Sequence, residues 1–235
     1  MNFKNLILPK NLFLNVSDNV IDVFKVAADQ FCEFHINKQR RLYIMPGGNT
    51  PIPFFKNIAM NQLDWINTSI LLSDERMVPR LDKNSNYKTI KTHLIDNISN
   101  SSSPFICDYN DQLGKLDSYL SEIESPDLSI LGFGKDGHTA SIFPNKVELL
   151  HSNKNIIKVN NSWEPFNRVS LTLKYILKSK IIMFILKGRE KASSLNECLT
   201  GDYNPVKFPV QYLLKNFKRK IYIYCDKAAA SALKY

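Results

Sequence analysis

The fold is decided by the stretch Asp127-Leu-Ser-Ile-Leu-Gly-Phe-Gly-Lys-Asp-Gly-His-Thr-Ala-Ser-Ile-Phe-Pro144. Residues 128–131 form a short apolar run of the kind that a buried strand uses, and glycines then interrupt the run. Glycine allows the backbone to turn sharply or to approach a ligand closely. Asp136 and His138 lie in and just after this glycine-rich turn. The stretch therefore predicts a buried strand that leads into a polar turn, with an acid and an imidazole at the end of the sheet.

Two common motifs come close to this stretch without fitting it. Gly132-x-Gly134-x-x-Gly137 matches the glycines of a dinucleotide-binding fingerprint, which also needs an acidic residue about 20 positions further on. The next predicted strand ends at Val159, and the two asparagines that follow it offer no acid there. Ser141 is not flanked as the Gly-x-Ser-x-Gly elbow of a serine hydrolase requires. Neither chemistry is favoured.

The composition is that of an ordinary globular protein. The chain has 235 residues, of which 44% are hydrophobic and 23% charged, enough to bury a sizeable core. No apolar run reaches the roughly 18 residues of a membrane helix, and the first residues lead into no signal peptide. The four cysteines include no Cys-x-x-Cys pair, which favours reduced thiols over disulfides or zinc. We expect a cytoplasmic protein with no membrane partner.

The net charge of +9 raises the question of an anionic partner. The lysines are scattered, and the densest cluster, Lys215–Lys220, is short and leads directly into a predicted strand. Such a run without a recognised binding fold is weak evidence for nucleic acid. We interpret it as a solvated loop and expect no nucleic-acid partner, although a positive field would help to gather a small phosphorylated substrate.

Strand and helix signals alternate along the chain. Strands are predicted at 12–16, 41–45, 68–72, 128–131, 156–159, 167–173, 180–186 and 221–224. Helices are predicted from an N-cap at Ser17 to near Asn37, from Pro51, through 90–94, over 113–123, from Gly188 and from Asp226. The polar segment 97–103 is the nearest thing to a linker. This alternation predicts one domain over residues 1–235 with an α/β fold: a single doubly wound, mostly parallel sheet with helices on both faces.

Two further polar segments follow predicted strands. Pro46-Gly-Gly-Asn-Thr-Pro51 joins a strand end to a helix start, where unpaired backbone N–H groups can cradle an anion; a plain tight turn is equally consistent with it. Ser73-Asp-Glu-Arg76 lies at the carboxyl end of a strand, the edge at which open α/β sheets bind ligands. An exposed turn with internal ion pairs is the alternative there.

Four separated segments together resemble one family, the 6-phosphogluconolactonases, within the larger glucosamine-6-phosphate isomerase/6-phosphogluconolactonase superfamily. The match spans nearly the whole chain, and Arg168 and the closing segment 226–230 also fit it. The four segments are Gly47-Gly-Asn-Thr-Pro51, Asp74-Glu-Arg-Met-Val-Pro79 with Ser85-Asn86 after it, Leu131-Gly-Phe-Gly-Lys-Asp-Gly-His-Thr-Ala-Ser-Ile-Phe-Pro144, and Gly188-Arg-Glu-Lys-Ala192.

The resemblance also distinguishes between branches of the superfamily. In the deaminase branch, the second segment resembles Asp-Glu-Tyr. The third segment of that branch ends in a glutamate that assists the catalytic histidine. This chain has Arg76 and Phe143 at the corresponding positions. It departs from the family pattern at Asn49, where serine is common, and at Ser162–Asn167, where a proline-rich approach to the arginine is usual. Lactone hydrolysis is favoured, and isomerisation with deamination or a non-catalytic sugar-phosphate-binding module are the alternatives.

The resemblance implies hydrolysis of 6-phosphoglucono-1,5-lactone in the pentose phosphate pathway, without metal or organic cofactor. His138 would be the general base, since imidazole exchanges protons near neutral pH. Asp136 would orient the ring, and Arg76 would stabilise the charge that develops on the carbonyl oxygen; Asp74 completes the expected catalytic set. The expected phosphate site comprises Gly47, Gly48, Asn49, Thr50, Arg168 and Lys191.

Overall fold

The structure is a computed structural model that describes residues 8–35, 40–98, 104–106, 109, 113–123, 125–160 and 165–233. The predicted end of the first helix near Asn37, most of the polar segment 97–103, Cys107 and the first part of Ser162–Asn167 lie outside these residues. The thiols of Cys32, Cys198 and Cys225 are free. No helix in the described ranges combines the length and apolar character that crossing a bilayer demands.

Strands and helices alternate as predicted. The strands are β1 Leu12–Ser17, β2 Arg41–Met45, β3 Thr68–Leu72, β4 Asp74–Arg76, β5 Phe105–Ile106, β6 Leu128–Leu131, β7 Ile156–Val159, β8 Arg168–Leu171, β9 Ile181–Ile185 and β10 Lys220–Asp226. The α-helices are α1 Val20–His35, α2 Ile52–Met60, α3 Asn86–His93, α4 Leu113–Glu122, α5 Val147–Leu150, α6 Leu173–Ile176, α7 Ala192–Thr200 and α8 Val210–Asn216. Short 3₁₀ helices cover Ile95–Asn97 and Arg189–Lys191.

Seven strands form one parallel sheet in the order β1-β10-β9-β6-β2-β3-β5, and every neighbouring pair in it is parallel. The connections from β1 to β2, β3 and β5 move one way across the sheet, and those from β5 to β6, β9 and β10 move back. Right-handed crossovers place these two sets of helices on opposite faces. The predicted doubly wound fold is confirmed.

The direction of winding reverses between β2 and β6. These strands are neighbours in the sheet, but the chain leaves their carboxyl ends toward opposite sides. Such a reversal opens a crevice at the carboxyl edge, which is where open α/β sheets bind ligands. The two loops that border the crevice begin at Pro46 and Gly132, and both carry predicted site residues.

A second, smaller sheet was not predicted. Strands β4, β8 and β7 pair antiparallel in the order β4-β8-β7. The segment Ser73–Arg76, for which no strand was predicted, provides β4. Asp74 is buried, so the alternative prediction of an exposed turn with internal ion pairs is wrong. Its pairing with β8 sets Arg76 opposite Arg168. The second sheet therefore brings two predicted site arginines together.

Two helix boundaries differ from those predicted. Ser17 is the last residue of β1 and not a helix cap; the side chain of Asn19 instead accepts the N–H of Asp22 at 3.0 Å. The closing segment after Asp226 forms consecutive turns and no α-helix over residues 227–232. The carboxylate of Asp226 accepts the N–H of Ala229 there, at 2.8 Å. Each segment carries more than one residue whose side chain can cap a turn. The local sequence therefore does not decide which of these residues forms the cap.

His35 is a buried histidine with a structural role. Its Nε2 lies 2.6 Å from the carbonyl oxygen of Asp64, which can only accept, so Nε2 carries the proton. Its Nδ1 then accepts from the Tyr43 hydroxyl at 3.1 Å. Burial lowers the pKa of His35, and the positive charge of Arg41 lowers it further. The hydrogen bond to the Asp64 carbonyl raises the pKa but does not offset these two effects. The neutral ring is thus the form that fits the fold.

Acid is expected to destabilise the protein through His35. Because the folded pKa lies below the unfolded value of about 6.5, the unfolded chain binds more protons as the pH falls below that value. The loss at pH 5.5 is at most about 1.4 kcal/mol. Urea denaturation at pH 7.5 and 5.5 measures it. The His35→Gln variant keeps a donor and an acceptor but cannot titrate, so its free energy of unfolding should differ less between the two pH values. In the exposed His151→Gln variant the wild-type difference should persist. Equal pH dependence in all three proteins would contradict this assignment.

Candidate active site

A cleft of about 250 Å³ opens at the carboxyl edge of the large sheet. Its walls are the segments that follow β2, β3, β6 and β9, together with the start of β8. Nine of the ten predicted site residues line this cleft, and the tenth, Asp136, contacts one of them, His138. The nine are Gly47, Gly48, Asn49, Thr50, Asp74, Arg76, His138, Arg168 and Lys191.

The turn after β6 places an acid beside an imidazole. The N–H of Gly137 donates to the carbonyl of Gly134 at 3.0 Å, and the N–H of Gly134 donates to the carbonyl of His138 at 2.8 Å. These two bonds fold residues 134–138 into a compact loop. The Asp136 and His138 side chains leave this loop next to each other, with Asp136 Oδ1 2.6 Å from His138 Nδ1.

The state of this pair follows from its hydrogen bonds. Burial alone would raise the pKa of Asp136, but the bond and charge of the His138 ring, with two backbone N–H groups, lower it to about 2. The ionised carboxylate can only accept, so Nδ1 of His138 carries a proton. In the neutral ring Nε2 is then the free acceptor. The arrangement leaves a base with about a third of its side chain exposed.

An aromatic ring lies on the other side of this base. The ring centroids of His138 and Phe143 are 4.9 Å apart, and the Arg168 guanidinium carbon lies 5.6 Å from the Phe143 centroid. Phe143 is the position at which the resemblance places a glutamate in deaminases. Asp136 is thus the only carboxylate that bonds His138 among the described residues.

Asp74 is held by several donors at once. Its carboxylate accepts from the hydroxyl of Ser141 at 2.5 Å and from that of Ser73 at 3.0 Å, and Arg168 Nη1 lies 3.5 Å away. The Asn86 amide donates to the Asp74 carbonyl at 2.7 Å. Asp74 therefore joins the His138 loop, the start of α3 and Arg168, and it contributes to the site as a buried anion that fixes their positions.

Arg76 and Arg168 place two guanidinium groups in the cleft wall. They are direct partners in the β4–β8 register, an arrangement that is unfavourable for like charges. Arg76 Nη1 donates to the carbonyl of Asn84 at 2.8 Å. Its Nε is buried and has no hydrogen-bond partner among the described residues. An anion between the two strands would offset this repulsion.

The loop after β2 presents backbone donors. Gly48 has φ +77°, a conformation that glycine adopts without strain. The loop leads into α2, whose first residue is Ile52. In the described part of the chain, none of the backbone hydrogen bonds uses the N–H groups of Gly48, Asn49 or Thr50 as donors. This is the geometry of an anion cradle at a helix start.

Lys191 reaches the cleft from the turn after β9. The buried Asp226 carboxylate accepts the N–H of Gly188, which opens this turn, at 3.0 Å. The buried Ser194 hydroxyl lies 3.2 Å from the Lys191 carbonyl and 3.3 Å from that of Gly134. Ser194 thus connects the Lys191 turn to the loop that carries His138.

The pKa of Lys191 is lowered, mainly by burial and further by the neighbouring Lys135 charge, while Glu190 and Asp136 act in the opposite direction. A cation with this environment is suited to an anionic ligand.

Sequence reasoning missed several residues of this site. Ser141 was considered only as a nucleophile, yet its hydroxyl is buried and donates to Asp74. Ser194 and Asp226 were given no role in the site. Lys135 lines the cleft, although the sequence motif assigned it no role. Hydroxyl and carboxylate contacts between distant segments carry no local pattern, whereas Lys135 was detectable from its place beside Asp136.

Comparison with known proteins identifies the family of the chain. Residues 16–222 match the family model described as glucosamine-6-phosphate isomerases/6-phosphogluconolactonase. A 6-phosphogluconolactonase of Neisseria meningitidis is 28% identical over 86% of this chain and 89% of its own length. The 6-phosphogluconolactonase of Thermotoga maritima is 30% identical over 81% and 88%. The crystal structure of a 6-phosphogluconolactonase from Shewanella baltica superposes with a TM-score of 0.84 at 23% identity, covering 94% of this chain and all of that one.

Proposed function

The chain belongs to the glucosamine-6-phosphate isomerase/6-phosphogluconolactonase family, and we propose that it hydrolyses 6-phospho-D-glucono-1,5-lactone to 6-phospho-D-gluconate in the pentose phosphate pathway. The similar proteins named 6-phosphogluconolactonase support this activity. The observation that carries the mechanism is the Asp136–His138 pair, which leaves a free imidazole nitrogen in a cleft lined by cations. The chain acts as one domain in the cytoplasm and needs neither metal nor organic cofactor.

The first step is attack of water on the lactone carbonyl. Nε2 of His138 takes a proton from the water as its oxygen bonds to C1, and the carbonyl electrons move onto the carbonyl oxygen. The His138 ring becomes positively charged, and the ionised Asp136 stabilises that charge through Nδ1. The Arg76 guanidinium stabilises the oxyanion, because a fixed donor acts strongly where charge develops.

The second step breaks the ring. The oxyanion re-forms the carbonyl, the bond between C1 and the ring oxygen breaks, and the proton on Nε2 passes to the leaving oxygen. The new acid loses its proton to solvent, and His138 returns to its neutral form. No covalent enzyme intermediate is required, and Asp74 acts by holding Arg168 and the His138 loop in place.

The phosphate fixes the position of the reacting carbon. The N–H groups of Gly48, Asn49 and Thr50 supply a cradle, and Arg168 and Lys191 supply charge. Gly47 precedes the cradle in the cleft wall. Binding energy from this remote group orients C1 toward His138, so its loss raises KM and lowers kcat as well.

The alternative within the family is isomerisation and deamination of glucosamine-6-phosphate. The resemblance assigns that branch a glutamate that assists the catalytic histidine. In this protein the corresponding residue is Phe143, whose ring contacts His138. A phenyl ring cannot exchange protons during ring opening, whereas lactone hydrolysis does not need the glutamate. The contact therefore favours the lactonase.

A direct assay separates the two activities. Freshly prepared 6-phosphogluconolactone should be hydrolysed well above its spontaneous rate, which is measured by coupling 6-phosphogluconate formation to its dehydrogenase. Glucosamine-6-phosphate should release no ammonia under the same conditions. Ammonia release without lactone hydrolysis would assign the deaminase activity, and binding of sugar phosphates without turnover of either compound would indicate a non-catalytic module.

A further inference from the structure

Lys135 is a cation of the cleft that the mechanism above does not use. It follows Gly134 in the turn that the Gly137–Gly134 hydrogen bond closes, so its backbone belongs to the same hydrogen-bonded loop as that of His138. Its side chain lines the same cleft as Lys191. Among the described residues it makes no ion pair, and Lys135 is therefore available to a ligand.

The charges around Lys135 favour an anion. The cations that line the cleft are Arg76, Lys135, Arg168 and Lys191, and Asp74 is the only carboxylate residue among the residues that line it. The Asp74 carboxylate is already engaged by Arg168 and two hydroxyl groups, and Asp136 is bonded to His138. Both acids are therefore already engaged by other groups. Burial and the Lys135 charge lower the pKa of Lys191, and Glu190 and Asp136, which raise it, do not offset them.

The two lysines are close enough to affect each other, because the Lys135 charge lowers the pKa of Lys191. Two neighbouring ammonium groups repel unless an anion lies between them. A phosphate monoester carries about 1.5 to 2 negative charges at neutral pH and has three acceptor oxygens. Such a group has enough acceptor oxygens to bond two ammonium groups, and both lysines line the same cleft.

We propose that Lys135 is a phosphate-binding residue, and that its ammonium group and that of Lys191 hold the substrate phosphate between them. The ligand class is a phosphate monoester dianion on a sugar. The inference rests on the proposed function for the identity of the substrate and adds a residue to its phosphate site. It also makes Lys135 a determinant of specificity, since a lactone without phosphate gains nothing from the second lysine.

The test is direct binding of three ligands to Lys135→Gln by calorimetry. The ligands are 6-phosphogluconate, glucose 6-phosphate, which has the phosphate but no carboxylate, and gluconate, which has the carboxylate but no phosphate. Lys25→Gln is the matched control, because it removes the same charge from an exposed position of α1. Unchanged urea midpoints establish that both variants fold.

Lys135→Gln should bind 6-phosphogluconate and glucose 6-phosphate roughly tenfold more weakly than the control, as for one charged hydrogen bond at a partly exposed site. Gluconate binding should not change, and the salt dependence of 6-phosphogluconate binding should become less steep. Weaker binding of gluconate and 6-phosphogluconate with unchanged glucose 6-phosphate would place Lys135 at the carboxylate and overturn the proposal. Equal affinities in both variants would make Lys135 a solvated lysine and overturn it too.

These measurements do not depend on turnover. If the protein failed to hydrolyse the lactone, the proposed function would be wrong, yet the binding of glucose 6-phosphate would still report whether Lys135 contacts the phosphate.

Discussion

Replacing His138 with alanine is expected to lower kcat for 6-phosphogluconolactone by about 10²–10⁴-fold, the usual contribution of a positioned general base. Asp136 fixes the proton of the ring on Nδ1 and leaves Nε2 to accept the proton of the attacking water. Removal of the imidazole leaves no base of comparable strength at C1. KM should change little, because the proposed phosphate contacts come from other residues. Initial rates, corrected for spontaneous hydrolysis, provide the measurement.

Two controls separate loss of the base from loss of the fold. Calorimetric binding of 6-phosphogluconate should persist in His138→Ala, and the exposed His151→Ala should retain wild-type kcat. A His138→Ala protein with wild-type kcat would remove the proposed base.

The part of the fold that followed from sequence is the part with a local signal. The apolar runs 128–131 and 180–186 are short and bounded by polar segments, and they became β6 and β9. Because parallel strands share a carboxyl edge, the polar segments after them had to meet. The same rule applies to β3, so Asp74, which follows β3, and His138, which follows β6, lie at one edge of the sheet and line one cleft.

The second sheet had no such signal. Strand β4 is three charged residues long, with no apolar alternation, and it is a strand only because β8 pairs with it. Likewise, the alanines after Asp226 favour a helix by propensity. A helix of only a few residues does not recover the cost of nucleation, and the Asp226 carboxylate stabilises a turn there instead.

Within the site, the sequence predicted which residues take part, but it did not predict which side chains contact each other. His138 and Asp136 were found because glycine, acid and imidazole adjoin in sequence. The contact of Ser141 with Asp74 joins segments far apart in the chain, as does that of Ser194 with Gly134. A serine in either position is compatible with a helix, a turn or solvent, so only the tertiary structure assigns its hydroxyl.

Gly134 is expected to be nearly as important as the base itself, although it takes no part in the chemistry. A Cβ atom added at Gly134 would lie 2.2 Å from His138 Nδ1 and 2.5 Å from Asp136 Oδ1, far inside van der Waals contact. In Gly134→Ala the hydrogen-bonded pair must therefore separate or the loop must shift. Because a displacement of about 1 Å at reacting groups costs about 10²-fold in rate, kcat should fall by about that factor.

Gly132→Ala is the matched comparison for this change, since a Cβ atom at Gly132 meets nothing within 4 Å. It adds the same methyl group to the same loop and should leave the His138 ring where it is. The position of the ring is followed by the NMR chemical shifts of its imidazole protons, which should change in Gly134→Ala and stay the same in Gly132→Ala. If Gly134→Ala kept both the wild-type chemical shifts and the wild-type kcat, the space left by the missing Cβ of Gly134 would not be what allows Asp136 to contact His138.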